Sequence, residues 1–78
     1  QLIKIKNYDF CLNIYFGKPT NGQTTVSIFN ATGQRVKETI IPSGTQITSL
    51  NIYDLRKGLY VVQVQSATGR FVQKISVK

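Results

Sequence analysis

Apolar side chains alternate with more polar ones over residues 8–16, and this alternation limits the possible fold more than any other feature. The apolar positions are Tyr8, Phe10, Leu12, Ile14 and Phe16. A period of two residues is that of a β-strand with one buried face, whereas a helix repeats its apolar positions every three to four residues. We therefore predict a strand over residues 8–16 with these side chains in the core.

The rest of the chain repeats this pattern in shorter segments. Strands are predicted over residues 24–30, 35–41, 46–52, 59–66 and 70–78, with a weaker N-terminal edge strand around Ile3 and Ile5. The predicted core positions are Val26, Ile28, Val36, Ile40, Leu50, Ile52, Tyr60, Val62, Val64, Phe71, Ile75 and Val77. No segment has the helical period, so we expect an all-β fold, a small antiparallel β-sandwich of about seven strands.

Glycine-containing segments separate the predicted strands and indicate where the chain reverses. They are residues 18–22, 31–33, 42–44, 67–69 and the longer corner 53–58. Residues 26–36 and 62–72 align without gaps and share Val, Ala-Thr-Gly and Val. Similar hairpins are therefore expected, with positive φ at Gly33 and Gly69. Two explanations of this repeat stay open, convergent turn chemistry and an internal duplication.

The length of 78 residues is enough for one small domain, and we expect residues 1–78 to form it. No apolar run approaches the roughly 20 residues of a membrane-spanning helix. The chain starts at Gln1 without a charged and apolar leader, so we expect a fragment of a longer protein. It is predicted to be a monomer, with exchange of the N-terminal strand as a route to a swapped dimer.

The residue types from which catalytic and metal sites are built are scarce. The chain has no His, one cysteine, Cys11, and three acids, Asp9, Glu38 and Asp54. The acids lack paired-carboxylate or metal-ligand spacing, and Asp54 is expected to cap the corner at residues 53–58. Cys11 is out of phase with the core positions and has no His to activate it. We predict that the chain is not an enzyme and has no cofactor or metal site.

The strong positive charge favours an acidic partner. Ten Lys and Arg residues against three acids give a net charge of +7. Basic residues near aromatic ones, such as Lys4, Lys6 and Tyr8, could instead form a platform for single-stranded nucleic acid. Such a platform needs aromatic side chains clustered on an exposed face, whereas most Phe and Tyr residues here are in phase with the core. We therefore interpret the lysines as a solvated surface and expect no nucleic-acid partner.

The segment Gly58-Leu59-Tyr60 stands directly before an apolar strand. It resembles the corner of immunoglobulin-like sandwiches, in which a Tyr hydroxyl forms a hydrogen bond back to the backbone. We predict such a hydrogen bond for Tyr60.

Three motifs follow one another in the second half of the chain. They are Ile28-Phe29-Asn30-Ala31-Thr32-Gly33-Gln34-Arg35-Val36, then Leu55-Arg56-Lys57-Gly58-Leu59-Tyr60-Val61-Val62-Gln63-Val64, then Gly69-Arg70-Phe71 with a terminal Lys74-Ile75-Ser76-Val77-Lys78. This succession, over residues 24–78, resembles the C-terminal sorting domain of the type IX secretion system of Bacteroidetes. The resemblance implies an immunoglobulin-like domain at the end of a secreted protein.

The resemblance also implies a function. Such a domain directs its upstream cargo through the periplasm and the type IX outer-membrane translocon to the cell surface or the medium. The implied partners are the secretion machinery at the outer membrane, including a sortase-like signal peptidase that cuts the domain off and joins the cargo to an anionic lipopolysaccharide. The Tyr-Pro-Asn-Pro stretch with which the family often begins is missing from residues 1–7, so the question of cleavage stays open.

The recurring positions of the family can be assigned one by one. Those expected to determine the fold are Gly33, Leu55, Gly58, Tyr60 and Gly69. Those expected to form the recognition signal are Lys74, Ile75, Ser76, Val77 and Lys78. The alternative function is that of an immunoglobulin-like adhesion or spacer module in a large surface protein.

Overall fold

The computed structural model describes residues 3–78, so that Gln1 and Leu2, at the start of the predicted N-terminal strand, lie outside the described residues. The strands are β1 (Ile3–Asn7), β2 (Cys11–Phe16), β3 (Thr24–Phe29), β4 (Arg35–Ile41), β5 (Ile47–Asn51), β6 (Gly58–Ser66) and β7 (Gly69–Val77). They form two antiparallel sheets, one with the order β1-β2-β5 and the other with the order β4-β3-β6-β7. The predicted all-β class with seven strands is confirmed.

The core lies between the two sheets and consists of the side chains that alternate inward along each strand. The buried apolar residues are Leu12, Ile14, Phe16, Val26, Ile28, Ile41, Leu50, Ile52, Tyr60, Val62, Val64, Ile75 and Val77. The predicted core positions are in this cluster, apart from Phe71 and those in residues 8–10 and β4. Phe71 is only partly buried and packs against the cluster. Removal of these side chains from water is the main force that stabilises the sandwich.

The first predicted strand is too long at its N-terminal end. The Tyr8 and Phe10 side chains are 48% and 71% exposed, and β2 begins only at Cys11. Asn7 pairs with Leu12 at the end of the β1–β2 hairpin, and the Tyr8 amide donates a hydrogen bond to the Cys11 carbonyl at 2.8 Å. The prediction that Tyr8 and Phe10 lie in the core is therefore wrong, because the alternation of residue types continues through a turn.

The buried face of β4 also differs from the prediction. Val26 of β3 pairs with Thr39 of β4, so Thr39 faces inward, and Ile41 on the same face of β4 is buried. Val36 and Ile40 point the other way and are 40% and 60% exposed. The prediction that Val36 and Ile40 lie in the core is wrong, because burial of Ile41 gives the strand the opposite phase.

Lys37 lies on the inward face of β4, at the edge of the four-stranded sheet, where it is half-buried. Its Nζ lies 3.0 Å from Oδ1 of Asp54, which follows β5. The Asp54 carboxylate therefore pairs with Lys37, and the prediction that it caps the corner is wrong. Asn51 has that role, since its Oδ1 accepts a hydrogen bond from the Tyr53 amide at 3.0 Å.

The two hairpins of the internal repeat share a side-chain contact but differ in backbone conformation. Before each Ala-Thr-Gly, a side-chain oxygen accepts a hydrogen bond from the Thr amide: Asn30 from Thr32 at 3.1 Å, and Ser66 from Thr68 at 3.3 Å. Both glycines have positive φ, as predicted, but the values are 91° at Gly33 and 158° at Gly69. A register shift precedes the first turn, whereas Ser66 pairs directly with Gly69 in the second. The expected similarity of the two turns is therefore only partly met.

Thr20 joins the long β2–β3 connection to the turn between β4 and β5. Its side chain is buried, and its Oγ1 donates a hydrogen bond to the Pro42 carbonyl at 2.8 Å and accepts one from the Thr45 amide at 3.0 Å. The Thr20 amide also donates to the Thr45 carbonyl at 2.9 Å. The buried hydroxyl is thus fully hydrogen-bonded, and the connection is packed onto the sandwich.

Candidate functional site

β7 is the last strand of the fold and lies at the edge of the four-stranded sheet. It pairs with β6 from Gly69, opposite Ser66, to Val77, opposite Gly58. Within the described part of the chain, no strand pairs with its other edge. An edge strand presents free peptide groups as well as side chains. The geometry of β7 therefore allows a partner to contact both.

Alternation along β7 divides the predicted recognition signal between two faces. Ile75 and Val77 are 6% and 7% exposed and belong to the core. Lys74, Ser76 and Lys78 are exposed. The segment therefore presents two cations and a hydroxyl to solvent, while its two apolar side chains hold the strand on the sandwich.

Two amide side chains connect β7 to β1 of the other sheet. Nδ2 of Asn7 donates a hydrogen bond to the Ser76 carbonyl at 2.5 Å, and Nε2 of Gln73 donates to the Ile5 carbonyl at 3.5 Å. In an antiparallel strand, the peptide groups of alternate residues point to the same side. The Ser76 carbonyl points away from β6, so the peptide groups of Lys74 also face the outer edge.

A shallow cleft of about 170 Å³ lies where β7 ends. It is lined by Asn7, Tyr8, Asp9, Ile52, Ser76, Val77 and Lys78. The tip of the β1–β2 hairpin, which sequence reasoning assigned to a continuous strand, thus lies next to the predicted recognition signal. The weak strand pattern at Ile3 and Ile5 could have revealed this hairpin, because two adjacent antiparallel strands, β1 and β2, need a turn between them.

Basic residues greatly outnumber acidic residues in the chain. The ion pairs within residues 3–78 join Arg35 to Glu38 at 3.1 Å and Lys37 to Asp54 at 3.0 Å. These pairs use two of the three acids in the chain, against ten Lys and Arg residues. This excess of positive charge favours association with acidic partners.

Three of the five predicted fold residues lie at the corner after β5 and at the start of β6. They are Leu55, Gly58 and Tyr60, whereas Gly33 and Gly69 lie in the β3–β4 and β6–β7 hairpins. The Tyr60 hydroxyl donates a hydrogen bond to the Arg56 carbonyl at 2.7 Å, which is the predicted contact. Tyr60 is buried in the core, and Leu55 packs against the core. The corner is therefore stabilised by apolar packing, by the Tyr60 hydroxyl and by the Asn51 side chain.

The outer face of the three-stranded sheet has the basic and aromatic residues considered above for nucleic acid. Nζ of Lys6 lies 5.9 Å from the ring centroid of Tyr15, and a hydrogen bond with Tyr15 raises the pKa of Tyr8. The prediction that most aromatic residues lie in the core is wrong, because Phe16 and Tyr60 are the aromatic members of the buried cluster. Lys6 and Tyr8 both contact Tyr15, so these residues do not form a row of separate stacking rings.

Within residues 3–78, no three His, Cys, Asp or Glu residues are placed so that they could hold a metal ion. Cys11 is half-buried, and its Sγ contacts Oδ1 of Asn13 at 3.8 Å. No helix in this part of the chain has the length and apolar character needed to cross a membrane. What the strand offers a partner is a set of exposed cations, free peptide groups and a small cleft.

Comparison with known proteins shows both fold and family. The chain is similar to a DUF3244 family protein with an immunoglobulin-like β-sandwich fold from Bacteroides vulgatus, with a TM-score of 0.86 and 18% sequence identity over 97% of this chain and 83% of that chain. The fold is therefore an immunoglobulin-like β-sandwich. No curated protein matches the chain. The model of the secretion system C-terminal sorting domain matches residues 9–78, and the chain therefore belongs to this family of type IX secretion sorting domains.

Proposed function

We propose that residues 1–78 form one monomeric, non-enzymatic domain that directs an upstream cargo protein through the periplasm and the type IX outer-membrane translocon. The destination of the cargo is the cell surface or the medium. The observation that supports this function best is the family match, which extends over residues 9–78 and includes all of β7.

The recognition signal in this proposal is the segment Lys74-Ile75-Ser76-Val77-Lys78. Lys74, Ser76 and Lys78 are exposed, and a component of the secretion machinery binds them. Ile75 and Val77 stay in the core and keep the strand in place. Exposed cations increase the rate at which an acidic partner associates, and they weaken that association as salt rises.

The proposal includes processing at the cell surface. A sortase-like signal peptidase cuts the domain from its cargo and joins the cargo to an anionic lipopolysaccharide. In that case the exported cargo lacks the sorting domain and gains the mass of a glycolipid. A reporter with one epitope tag upstream of the domain and another within it distinguishes processing from retention, because only retention leaves both tags on one polypeptide.

The experiment that tests the sorting function uses a reporter fused upstream of residues 1–78 in a host with a type IX system. The double variant Lys74→Ala with Lys78→Ala removes two exposed charges and leaves Ile75 and Val77 buried. We expect the reporter to accumulate in the periplasm, while the stability of the domain stays within about 0.5 kcal/mol of the wild type. Fractionation and surface protease treatment measure the location of the reporter.

The matched control is the double variant Lys4→Ala with Lys18→Ala, which removes the same charge from exposed positions outside the segment 74–78. It should be exported like the wild type. Export of the Lys74 and Lys78 variant at the wild-type rate would place recognition elsewhere. Export of the reporter after deletion of the whole domain would contradict the sorting function and favour an adhesion or spacer module.

A further inference from the structure

The outer face of the four-stranded sheet carries an apolar row with a cation at each end. The pairing registers place Val61 opposite Lys74 on one side and opposite Phe29 on the other. Phe29 in turn pairs with Arg35 of β4. Directly opposed residues on one face of a sheet are neighbours, so the order across the face is Lys74, Val61, Phe29, Arg35.

Two more apolar side chains border this row. Leu59 pairs with Ser76 and is 64% exposed, and Val72 pairs with Gln63 and is 52% exposed. We call Phe29, Leu59, Val61 and Val72 the apolar strip. Arg70, Val72 and Lys74 follow one another on the outer face of β7, since alternate residues of a strand share a face. The strip is therefore bordered by cations along β7.

We propose that the apolar strip, together with Arg70 and Lys74, is the surface by which this sorting domain docks onto a protein with an apolar segment bordered by carboxylates. The inference rests on the proposed function and extends it, because the recognition surface then reaches from β7 across β6 to β3. The final segment of the chain supplies Lys74 and Ser76, and the remaining contacts come from residues that precede it.

Charge complementarity supports an acidic protein partner. Glu38, the acid on this face, is paired with Arg35 at 3.1 Å, so the carboxylates that complement Arg70 and Lys74 come from the partner. Exposed apolar side chains rimmed by polar residues mark interaction sites on soluble proteins. This face has exposed apolar side chains, Leu59 and Val72, which a partner can remove from water, and cations at their border.

The shape of the face favours a protein over a lipid surface. Phe29 and Val61 are only half-exposed and cannot insert deeply into a bilayer. The neighbouring rows contain the accessible polar side chains Thr25, Gln63 and Gln65, whose positions follow from the same pairing registers. These groups offer hydrogen bonds to a partner that lies flat on the sheet.

The test uses positions on this face that lie outside the final five residues. Leu59→Ser removes a protruding apolar side chain, and its control is Ile47→Ser, at a strand position of the other sheet that is 60% exposed. Arg70→Glu reverses a charge beside the strip, and its control is Lys4→Glu on the outer face of β1. Each is introduced into the reporter fused to residues 1–78, and the rate of export is measured.

We expect Leu59→Ser and Arg70→Glu to slow export by about fivefold or more, the size of effect that residues carrying binding energy have, while both controls stay within about twofold of the wild type. Urea denaturation shows whether each variant folds, and Arg70→Glu decides the matter if Leu59→Ser is destabilised. Normal export of both variants, or an equal slowing of export in the controls, would overturn this inference but not the proposed function. A wild-type fusion that is not exported would overturn the proposed function and this inference with it.

Two further measurements separate the other occupants of the strip. Flotation with vesicles containing phosphatidylglycerol should show no binding that Leu59→Ser abolishes, and such binding would indicate a membrane surface in place of a protein. Sedimentation at several concentrations should show no dimer that Leu59→Ser dissociates, and such a dimer would assign the strip to a second copy of the chain. Either result contradicts the proposal.

Discussion

The hydroxyl of Tyr60 donates a hydrogen bond of 2.7 Å to the carbonyl of Arg56, four residues earlier in the chain. This contact joins the corner after β5 to β6, the strand with which β3 and β7 both pair. Replacement of Tyr60 by Phe keeps the buried ring and removes the donor. We expect the free energy of unfolding to fall by about 1 kcal/mol, the usual net value of one hydrogen bond. Urea denaturation measures the change.

Tyr53→Phe is the control for this variant, because the Tyr53 side chain is 68% exposed and its hydroxyl is hydrated in both states. Its denaturation midpoint should equal that of the wild type. If Tyr60→Phe also leaves the midpoint unchanged, the corner hydrogen bond does not stabilise the fold.

Gly33→Val should destabilise the β3–β4 hairpin. The φ angle of Gly33 is 91°, and a Cβ there would meet no atom within 4 Å, so the cost comes from backbone conformation and not from a clash. We expect a loss of about 1–3 kcal/mol for Val and a smaller loss for Gly33→Asn, since Asn tolerates positive φ better. Equal midpoints for the two variants would contradict this explanation.

Ile28 and Ile40 test the assignment of faces in the same hairpin. Ile28 is fully buried, whereas Ile40 is 60% exposed. Ile28→Ala leaves a cavity in the core and should cost about 2–5 kcal/mol. Ile40→Ala should stay within about 0.5 kcal/mol of the wild type. A large loss for Ile40→Ala, measured by thermal or urea unfolding, would restore the inward orientation that the alternation in β4 predicted.

Asn7→Ala removes the side chain that connects β1 to the Ser76 carbonyl. The carbonyl is exposed and can take a water in exchange, so the global stability should fall by less than about 1 kcal/mol. The local effect should be larger: the Val77 amide, which faces β6, should exchange its hydrogen faster. Hydrogen exchange followed by nuclear magnetic resonance measures it, with Asn21→Ala in an exposed turn as the control. Unchanged exchange at Val77 would show that β1 does not hold the end of β7.

The β-sandwich could be predicted from the sequence because its central strands have strict alternation. In β3 and β6, the residues between the buried side chains lie on the outer face of the sheet; the buried ones are Val26, Ile28, Val62 and Val64. The two-residue period therefore indicates both the secondary structure and the face that is buried. Tyr8 and Ile40 show where this reasoning fails. A turn can contain an apolar residue in phase with a strand, and an edge strand with apolar residues on both faces is oriented by its pairing partner and not by its own pattern.

The candidate site could be predicted only along one strand. The sequence places Lys74 and Ser76 on one face of β7, and the exposure of both residues agrees with that expectation. It contains no information on what lies beside them. Leu59 lies opposite Ser76 by strand pairing, Phe29 lies beyond β6, and Asn7 contacts Ser76 from the other sheet. The contact between Asn7 and Ser76 joins residues 69 positions apart. Such neighbours follow from topology and register, which a local pattern does not specify.

Lys37 affects what happens when many copies of the chain are close together. Fibril growth would add a strand of another molecule to the free edge of β4 and continue the sheet. That strand would cover the gap in which the Lys37 ammonium lies 3.0 Å from the Asp54 carboxylate, and would remove water from both groups. Because dehydration of charges is costly, an inward lysine makes β4 a poor template for another strand. We therefore expect the ion pair between β4 and the corner after β5 to disfavour aggregation at this edge.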